Sequence, residues 1–207
     1  MKHFLLLLSL FAGTLFSTGC ASSYHSTHPP SNYFNSTENT DELAFSYRYD
    51  VLREKGNKKY AKKEDKKGLR VVAVKITNNT ERPLFFPEDF EITSGHQSVY
   101  LLEPDYIHSK LKQGVPIYLL YLLLTPMKLY TSNNTGDVTT TEIGYVLGPG
   151  ITALNMGMAA NANNKFKREL LEYNLANQVI EVGETVYGII GFQSIGYAPL
   201  KLKLKNE

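Results

Sequence analysis

The chain has 207 residues, of which 43% are hydrophobic and 20% are charged, and its formal net charge is +2. The apolar content excludes a wholly disordered chain, and the near-neutral charge gives no reason to expect a nucleic-acid binder. A single Cys excludes an internal disulfide framework and a Cys-rich zinc site. The length fits one domain with an insertion.

The first residues have the pattern of an export signal. Lys2 provides a short positive start, and residues 4–16 form an apolar run. A bilayer-spanning helix needs about 20 apolar residues, so this shorter run predicts a secretory signal peptide over residues 1–19.

The signal ends in small residues directly before the lone cysteine, in the order Ser17-Thr18-Gly19-Cys20. This pattern resembles the lipobox of bacterial lipoproteins, in which the Cys thiol receives diacylglycerol and cleavage makes it the new N-terminus. The resemblance implies lipid attachment at Cys20, and Ala21 after it implies the outer membrane of a Gram-negative cell. No acidic cluster follows, which favours a domain that faces the periplasm, with the cell surface as the alternative. The other interpretation is a plain secretory signal with an incidental Cys.

A polar segment separates this cysteine from the rest of the chain. Residues 21–40 are dominated by Ser, Thr, Asn and Pro. This composition predicts that residues 20–40 form the lipidated Cys and a flexible linker, with a typical span of about 25 Å. The folded domain, residues 41–207, is then expected to turn freely above the membrane.

Alternating apolar and polar residues predict two groups of strands separated by helices. The predicted strands cover residues 43–51, 69–76, 84–86, 90–93, 99–102, 178–181, 185–193 and 199–205. A helical insertion is predicted over about 104–175, with helices at 104–112, 116–129 and 151–175 and a polar loop at 130–142. The expected fold is α+β: an antiparallel immunoglobulin-like β-sandwich of about seven strands with this insertion.

Two segments, 71–80 and 182–188, resemble parts of β-sandwich domains of bacterial lipoproteins to which no chemistry is assigned. In such immunoglobulin-like domains an alternating strand that ends in an Asn-rich turn pairs with a late strand entered through a Gly turn. The resemblance implies the sandwich fold and no particular function.

A basic stretch is expected to connect the first two predicted strands as a mobile loop. Residues 53–70 contain nine cations and three acids, which gives a local charge of +6. Such a stretch is a candidate contact for anionic lipid headgroups or an acidic partner. The alternative is a solvated loop that protects a sheet edge. The candidate lysines are Lys55, Lys58, Lys59, Lys62, Lys63, Lys66 and Lys67.

An apolar helix is predicted at residues 117–124, which are too few to span a bilayer. One interpretation buries this helix against the longer helix and a sheet face. The other makes it a lipid-facing surface or a partner-binding groove. A pocket for a lipid or other apolar ligand between the helices and the sheet would contact Leu119, Leu123, Met156 and Phe166.

Motifs that carry chemistry are missing from the sequence. It contains no G-x-S-x-G elbow, no H-E-x-x-H and no phosphate-binding loop. We therefore expect no enzyme activity, no cofactor, no metal site and no nucleic-acid partner. The expected function is a membrane-anchored envelope protein that binds or scaffolds an envelope protein partner. The alternative is a carrier or sensor of an apolar ligand.

Overall fold

The computed structural model describes residues 20–133 and 136–205, so the predicted signal peptide over 1–19 lies outside the described residues. The described chain has a mixed α+β fold with several small antiparallel sheets and one long helix. The strands are β1 (Ser36–Asn39), β2 (Leu43–Arg48), β3 (Leu69–Asn78), β4 (Leu84–Phe86), β5 (Phe90–Ser94), β6 (Gln97–Ser98), β7 (Leu129–Ser132), β8 (Val138–Thr141), β9 (Gln178–Ile180), β10 (Thr185–Gln193) and β11 (Leu200–Leu204). The α-helices are α1 (Val51–Glu54), α2 (Lys58–Lys67), α3 (Pro104–Leu111) and α4 (Gly144–Glu172), and Pro29–Ser31 and Pro116–Leu124 form 3₁₀ helices.

The chain divides into two compact units. The larger unit comprises Tyr24–Lys112 and the residues from Asn163 onward. Among the described residues, the smaller unit comprises 20–23 together with Gln113–Ala162. The division falls within α4, which therefore contributes residues to both units.

The larger unit contains three of the sheets. Strands β1, β2, β3 and β10 form an antiparallel sheet in the order β1-β2-β3-β10. Its central strand β3 is paired on both sides, with Ile76 opposite Phe45 on one side and Val186 on the other. The other two sheets have the orders β11-β5-β6 and β4-β9.

One apolar core is shared by these three sheets. It takes alternate residues of the strands, such as Phe45 of β2, Val74 of β3, Ile92 of β5 and Leu202 of β11. Alternation predicts this arrangement because successive side chains of a strand point to opposite faces. The expected α+β class is confirmed. The described strands show no closed sandwich or barrel, so the immunoglobulin-like sandwich stays a prediction.

The smaller unit contains the 3₁₀ helix Pro116–Leu124, the β7–β8 hairpin and most of α4. The hairpin replaces the polar loop predicted at residues 130–142, and it pairs Leu129 with Thr141 and Ser132 with Val138. Its Thr and Val residues are β-branched, which suits an extended backbone. The loop was predicted from polarity alone, which does not include the preference of β-branched residues for strands.

The inserted helices differ from the prediction in their type and their limits. The helix expected at residues 116–129 is a 3₁₀ helix that ends at Leu124. Helix α4 begins at Gly144 rather than at 151 and contains Pro149. Pro149 lies beyond the first turn, where its missing N–H removes one backbone hydrogen bond and its ring crowds the carbonyl of Tyr145, and α4 nevertheless continues through it. The strand expected at 99–102 is replaced by the short β6.

Candidate functional site

The residue predicted to carry lipid, Cys20, is exposed. The chain directly after it is fixed, because the Ala21 N–H donates to Oδ1 of Asn155 on α4 over 2.6 Å. The Ser22 N–H donates to Oε1 of Gln113 (3.2 Å), and Nε2 of Gln113 donates to the Ser22 carbonyl (2.7 Å). Cys20 is therefore held on the smaller unit and does not lie at the end of a free chain. Lipid attachment at its thiol stays a prediction.

The segment that follows packs onto the larger unit instead of forming a linker. The ring of Tyr24 is buried between Tyr60 of α2 and Phe166 of α4, with both ring centroids at 5.3 Å. Its hydroxyl donates to the carboxylate of Glu169. Burial, with a further contribution from the negative charge of Glu169, raises the pKa of Tyr24. The hydroxyl therefore stays protonated and available as a donor.

Polar groups of the same segment are also paired. Glu169 accepts hydrogen bonds from the Ser26 hydroxyl (2.5 Å) and from the His28 N–H (2.9 Å). Asn57 accepts from the His25 N–H (2.9 Å) and donates to the His25 carbonyl (2.7 Å). These contacts dock the segment on the larger unit, where its composition predicts a flexible linker. Composition predicted it because apolar residues are few there, yet one buried ring and these hydrogen bonds suffice to dock the segment.

The basic stretch forms α1 and α2 and is not the expected loop. Helix α2 buries Tyr60, Ala61 and Glu64 along one side and ends at Gly68, whose φ of +58° suits glycine. Its other residues are mostly Lys, a good helix former. Lys58, Lys62, Lys66 and Lys67 are exposed, while Lys55, Lys59 and Lys63 are half-buried. The fold thus places the predicted charge run on one rigid helix.

The half-buried Lys63 has a structural contact. Its Nζ donates to the backbone carbonyl of Lys112. Burial, followed by the charges of neighbouring lysines, lowers the pKa of Lys63. The exposed lysines of α2 are therefore better suited to bind an external partner than Lys63 is.

Glu64 lies on the buried side of α2. Its Oε1 accepts the Val71 N–H over 2.7 Å, which connects the helix to β3. Burial raises the pKa of Glu64 to about 7, against the opposing effects of the Val71 hydrogen bond and the charge of Arg70. This carboxyl group contributes to the stability of the unit and not to its surface charge at acidic pH.

The four residues predicted to contact an apolar ligand have different environments. Leu119 and Leu123 are exposed, and Met156 is half-buried. Phe166 is only 1% exposed, since it fills the core between Tyr24 and Tyr60. Phe166 is therefore part of the core of the larger unit, and its contact with an apolar ligand between the helices and the sheet stays a prediction.

The apolar run at 117–124 is largely exposed, contrary to the interpretation that buries it. Tyr118 is buried, whereas Ile117, Leu120 and Leu123 are 58%, 59% and 75% exposed. Of the 23 exposed large apolar side chains among the described residues, thirteen lie at positions 117–130 and 145–158. We call these thirteen side chains the apolar surface.

Two glycines fix the elements that carry the apolar surface. A Cβ atom at Gly144 would lie 2.3 Å from the Thr125 carbonyl oxygen, and one at Gly148 would lie 2.6 Å from Oγ1 of Thr125. The Gly144 N–H also donates to the Met127 carbonyl over 3.0 Å. The start of α4 therefore packs backbone to backbone against the end of the 3₁₀ helix, which side chains at these positions would prevent.

A cavity of about 360 Å³ lies in the larger unit. It is lined by Ile189 and Ile190 of β10, by the start of α3 and by Leu171 near the end of α4. Its volume lies within the range of small-molecule sites. None of the four residues predicted to contact an apolar ligand lines this cavity.

The described residues contain neither a cluster of metal-ligating side chains nor a membrane-spanning helix. Over 20–133 and 136–205, no three or more His, Cys, Asp or Glu side chains are grouped so as to hold a metal ion. Within the same residues, no helix has both the length and the apolar character needed to cross a membrane.

Sequence reasoning missed the helical lysine array and the exposed state of the apolar surface. The spacing of Tyr60 and Glu64, followed by Gly68, was a signal for the helix. No local signal reveals exposure, because a buried and a lipid-facing apolar run have the same composition. Comparison of the chain with protein-family models, curated proteins and solved structures finds no match.

Proposed function

We propose that this chain is a lipid-anchored envelope protein whose larger unit acts as a non-catalytic protein-binding or scaffolding module. The lipobox-like pattern at Cys20 supports the anchor, and Ala21 supports an outer-membrane location with the module facing the periplasm. For the larger unit we propose an immunoglobulin-like sandwich, because strands of three sheets share one core.

The lysine array of α2 is the observation that carries the binding function. Four of its lysines are exposed on a helix whose opposite side is buried. A charge array on a rigid element loses less conformational entropy on binding than a mobile loop does. Positive charge of this kind also steers association with an acidic partner. An acidic protein surface in the envelope is therefore the partner class we propose.

Native mass spectrometry of the lipidated protein, extracted gently from its own membrane, tests this function. In one variant Lys58, Lys62, Lys66 and Lys67 are changed to Gln. In the matched control Lys165, Arg168, Lys203 and Lys205, which are exposed elsewhere in the larger unit, are changed to Gln. We expect a stoichiometric protein partner on the wild type and the control, and its loss from the α2 variant. A partner that both variants retain would contradict the role of α2, and the absence of any partner would contradict the binding function.

A carrier of an apolar ligand is the second candidate, and the cavity beside β10 is the observation that favours it. Leu171, Leu175, Ile189 and Ile190 form the apolar part of its lining, beside polar side chains such as Glu103 and Asn174. In the same spectra, a non-covalent mass of lipid size that persists without any protein partner would support the carrier instead.

A further inference from the structure

The smaller unit does not cover its own apolar side chains. Among its described residues, the buried apolar side chains are those of Tyr118, Ala159 and Ala162. The apolar surface has several members above 70% exposed, including Leu123, Val146 and Leu154. Exposed apolar patches of large area mark surfaces that contact a partner or a membrane.

Eleven of the thirteen side chains of the apolar surface lie on segments that are free of charge. Residues 113–127 and 143–162 contain no Asp, Glu, Lys or Arg. Lys128 directly follows the first segment and Glu142 directly precedes the second, and these two side chains form an ion pair over 2.9 Å. A protein-binding surface normally has a polar, solvent-accessible rim and several hydrogen-bonding groups. Two long uncharged segments are more typical of a surface in contact with lipid.

The predicted anchor lies in the same unit and next to this surface. Burial, followed by the interaction with Cys20, raises the pKa of Tyr121, which lies within the 3₁₀ helix. The next residue, Ala21, is bonded to Asn155, which lies between exposed members of the apolar surface on α4. Acyl chains on Cys20 would therefore leave the protein beside the apolar surface, so that both would enter the same bilayer.

We infer that the apolar surface inserts into the interface of the phospholipid bilayer beside the acylated Cys20. This inference rests on the proposed lipid anchor and adds a second, protein-made membrane contact to it. Interfacial elements bury their apolar side about 5–10 Å deep without crossing the bilayer. Tyr130 and Tyr145 are exposed members of the surface, and tyrosine is enriched at the headgroup level of membrane proteins.

Tryptophan fluorescence can measure this insertion, because the chain has no Trp of its own. Leu123→Trp and Leu154→Trp place one probe on each main segment of the apolar surface. Ile195→Trp is the matched control, since Ile195 is 90% exposed in the larger unit. Each full-length, lipidated variant is reconstituted in vesicles of phosphatidylethanolamine and phosphatidylglycerol, with or without bromine on the acyl chains. Thermal unfolding in detergent verifies that each variant is folded, and either surface probe alone decides the question if the other variant fails to fold.

We expect blue-shifted emission and quenching by about twofold or more from brominated chains at positions 123 and 154, and neither effect at 195. Vesicle flotation and intact mass report on the anchor separately. Protein that floats and carries acyl mass but whose surface probes are not quenched would overturn the inference and leave the anchor standing. A blue shift without quenching, together with a dimer mass, would assign the surface to a second copy and would also overturn it. Protein without acyl mass that does not float would overturn the anchor itself.

Discussion

Glu64 is a carboxyl group that the fold removes from water. Glu64 lies on the buried side of helix α2, which faces β3. The Val71 N–H of β3 donates one hydrogen bond to its carboxylate over 2.7 Å. Burial outweighs that hydrogen bond and the charge of Arg70, so the pKa of Glu64 rises from its ordinary 4.5 to about 7. The folded state therefore binds a proton here between pH 4.5 and 7, whereas the unfolded state has already released it.

This difference predicts how stability changes with pH. The contribution of Glu64 to the free energy of unfolding is fully present below pH 4.5 and is lost as the pH rises through 7. Relative to Glu64→Gln, which cannot ionise, the wild type should lose up to about 3 kcal/mol of unfolding free energy between pH 4.5 and 8. Urea unfolding at four pH values measures this. Glu88→Gln, at an exposed position, is the control, and an equal pH dependence for both variants would contradict the assignment.

At the scale of elements, the contact between the 3₁₀ helix and α4 depends on the absence of side chains. Gly144 brings the first turn of α4 onto the backbone of Leu124 and Thr125. Glycines spaced four apart, as at Gly144 and Gly148, allow two backbones to approach closely because neither has a Cβ atom. The contact sets the geometry of the apolar surface.

Gly144→Ala should therefore destabilise the protein, because the new Cβ would overlap backbone atoms that cannot rotate away. Overpacking of this kind costs about 1–3 kcal/mol, which corresponds to a Tm decrease of roughly 2–4 °C per kcal/mol at this chain length. Gly150→Ala lies in the same helix with no neighbour within 4 Å, so its Tm should be unchanged or slightly higher. Thermal unfolding followed by circular dichroism compares the two, and equal Tm values would rule out the close contact.

Strands that bury only one face were predictable, because apolar and polar residues alternate along them. The alternation in Leu43, Phe45 and Tyr47 predicted β2, and that in Leu200, Leu202 and Leu204 predicted β11. Helix α2 was not predicted, because a high density of charged residues such as that at 53–70 is also typical of a solvated loop. The few residues that dock this helix, among them Tyr60, find their partners on distant parts of the chain.

At the scale of the whole molecule, a hydrogen bond joins the first residue of the larger unit to the second chain segment of that unit, which begins at Asn163. Tyr24 and Glu169 are 145 positions apart, yet the Tyr24 hydroxyl donates to that carboxylate. Ser26 and His28 donate to the same group. The segment from Tyr24 to His28 is thereby held in place within the larger unit.

Removal of the Glu169 carboxylate should release the segment that begins at Tyr24. Glu169→Ala removes the acceptor of the buried Tyr24 hydroxyl, at a cost of about 1–3 kcal/mol, and leaves the exposed His28 N–H with Oγ of Ser26 as its acceptor. Hydrogen–deuterium exchange over residues 24–31 should therefore accelerate. Glu172→Ala, exposed and one turn further along the same helix, should leave that exchange unchanged. Equal protection in both variants would mean that Glu169 does not hold the segment.

The sequence by itself determined the α+β class, most strand positions, the limits of α3 and the place of the lone Cys20 in an export-like pattern. These properties follow from local periodicity and from adjacent residues. Only the tertiary structure decided that residues 24–39 dock, that Phe166 is core and that the apolar run at 117–124 is exposed. The docking of residues 24–39 and the burial of Phe166 depend on partners far away in sequence. The exposure of 117–124 depends on the absence of such a partner. The composition of a short segment carries no information about distant partners.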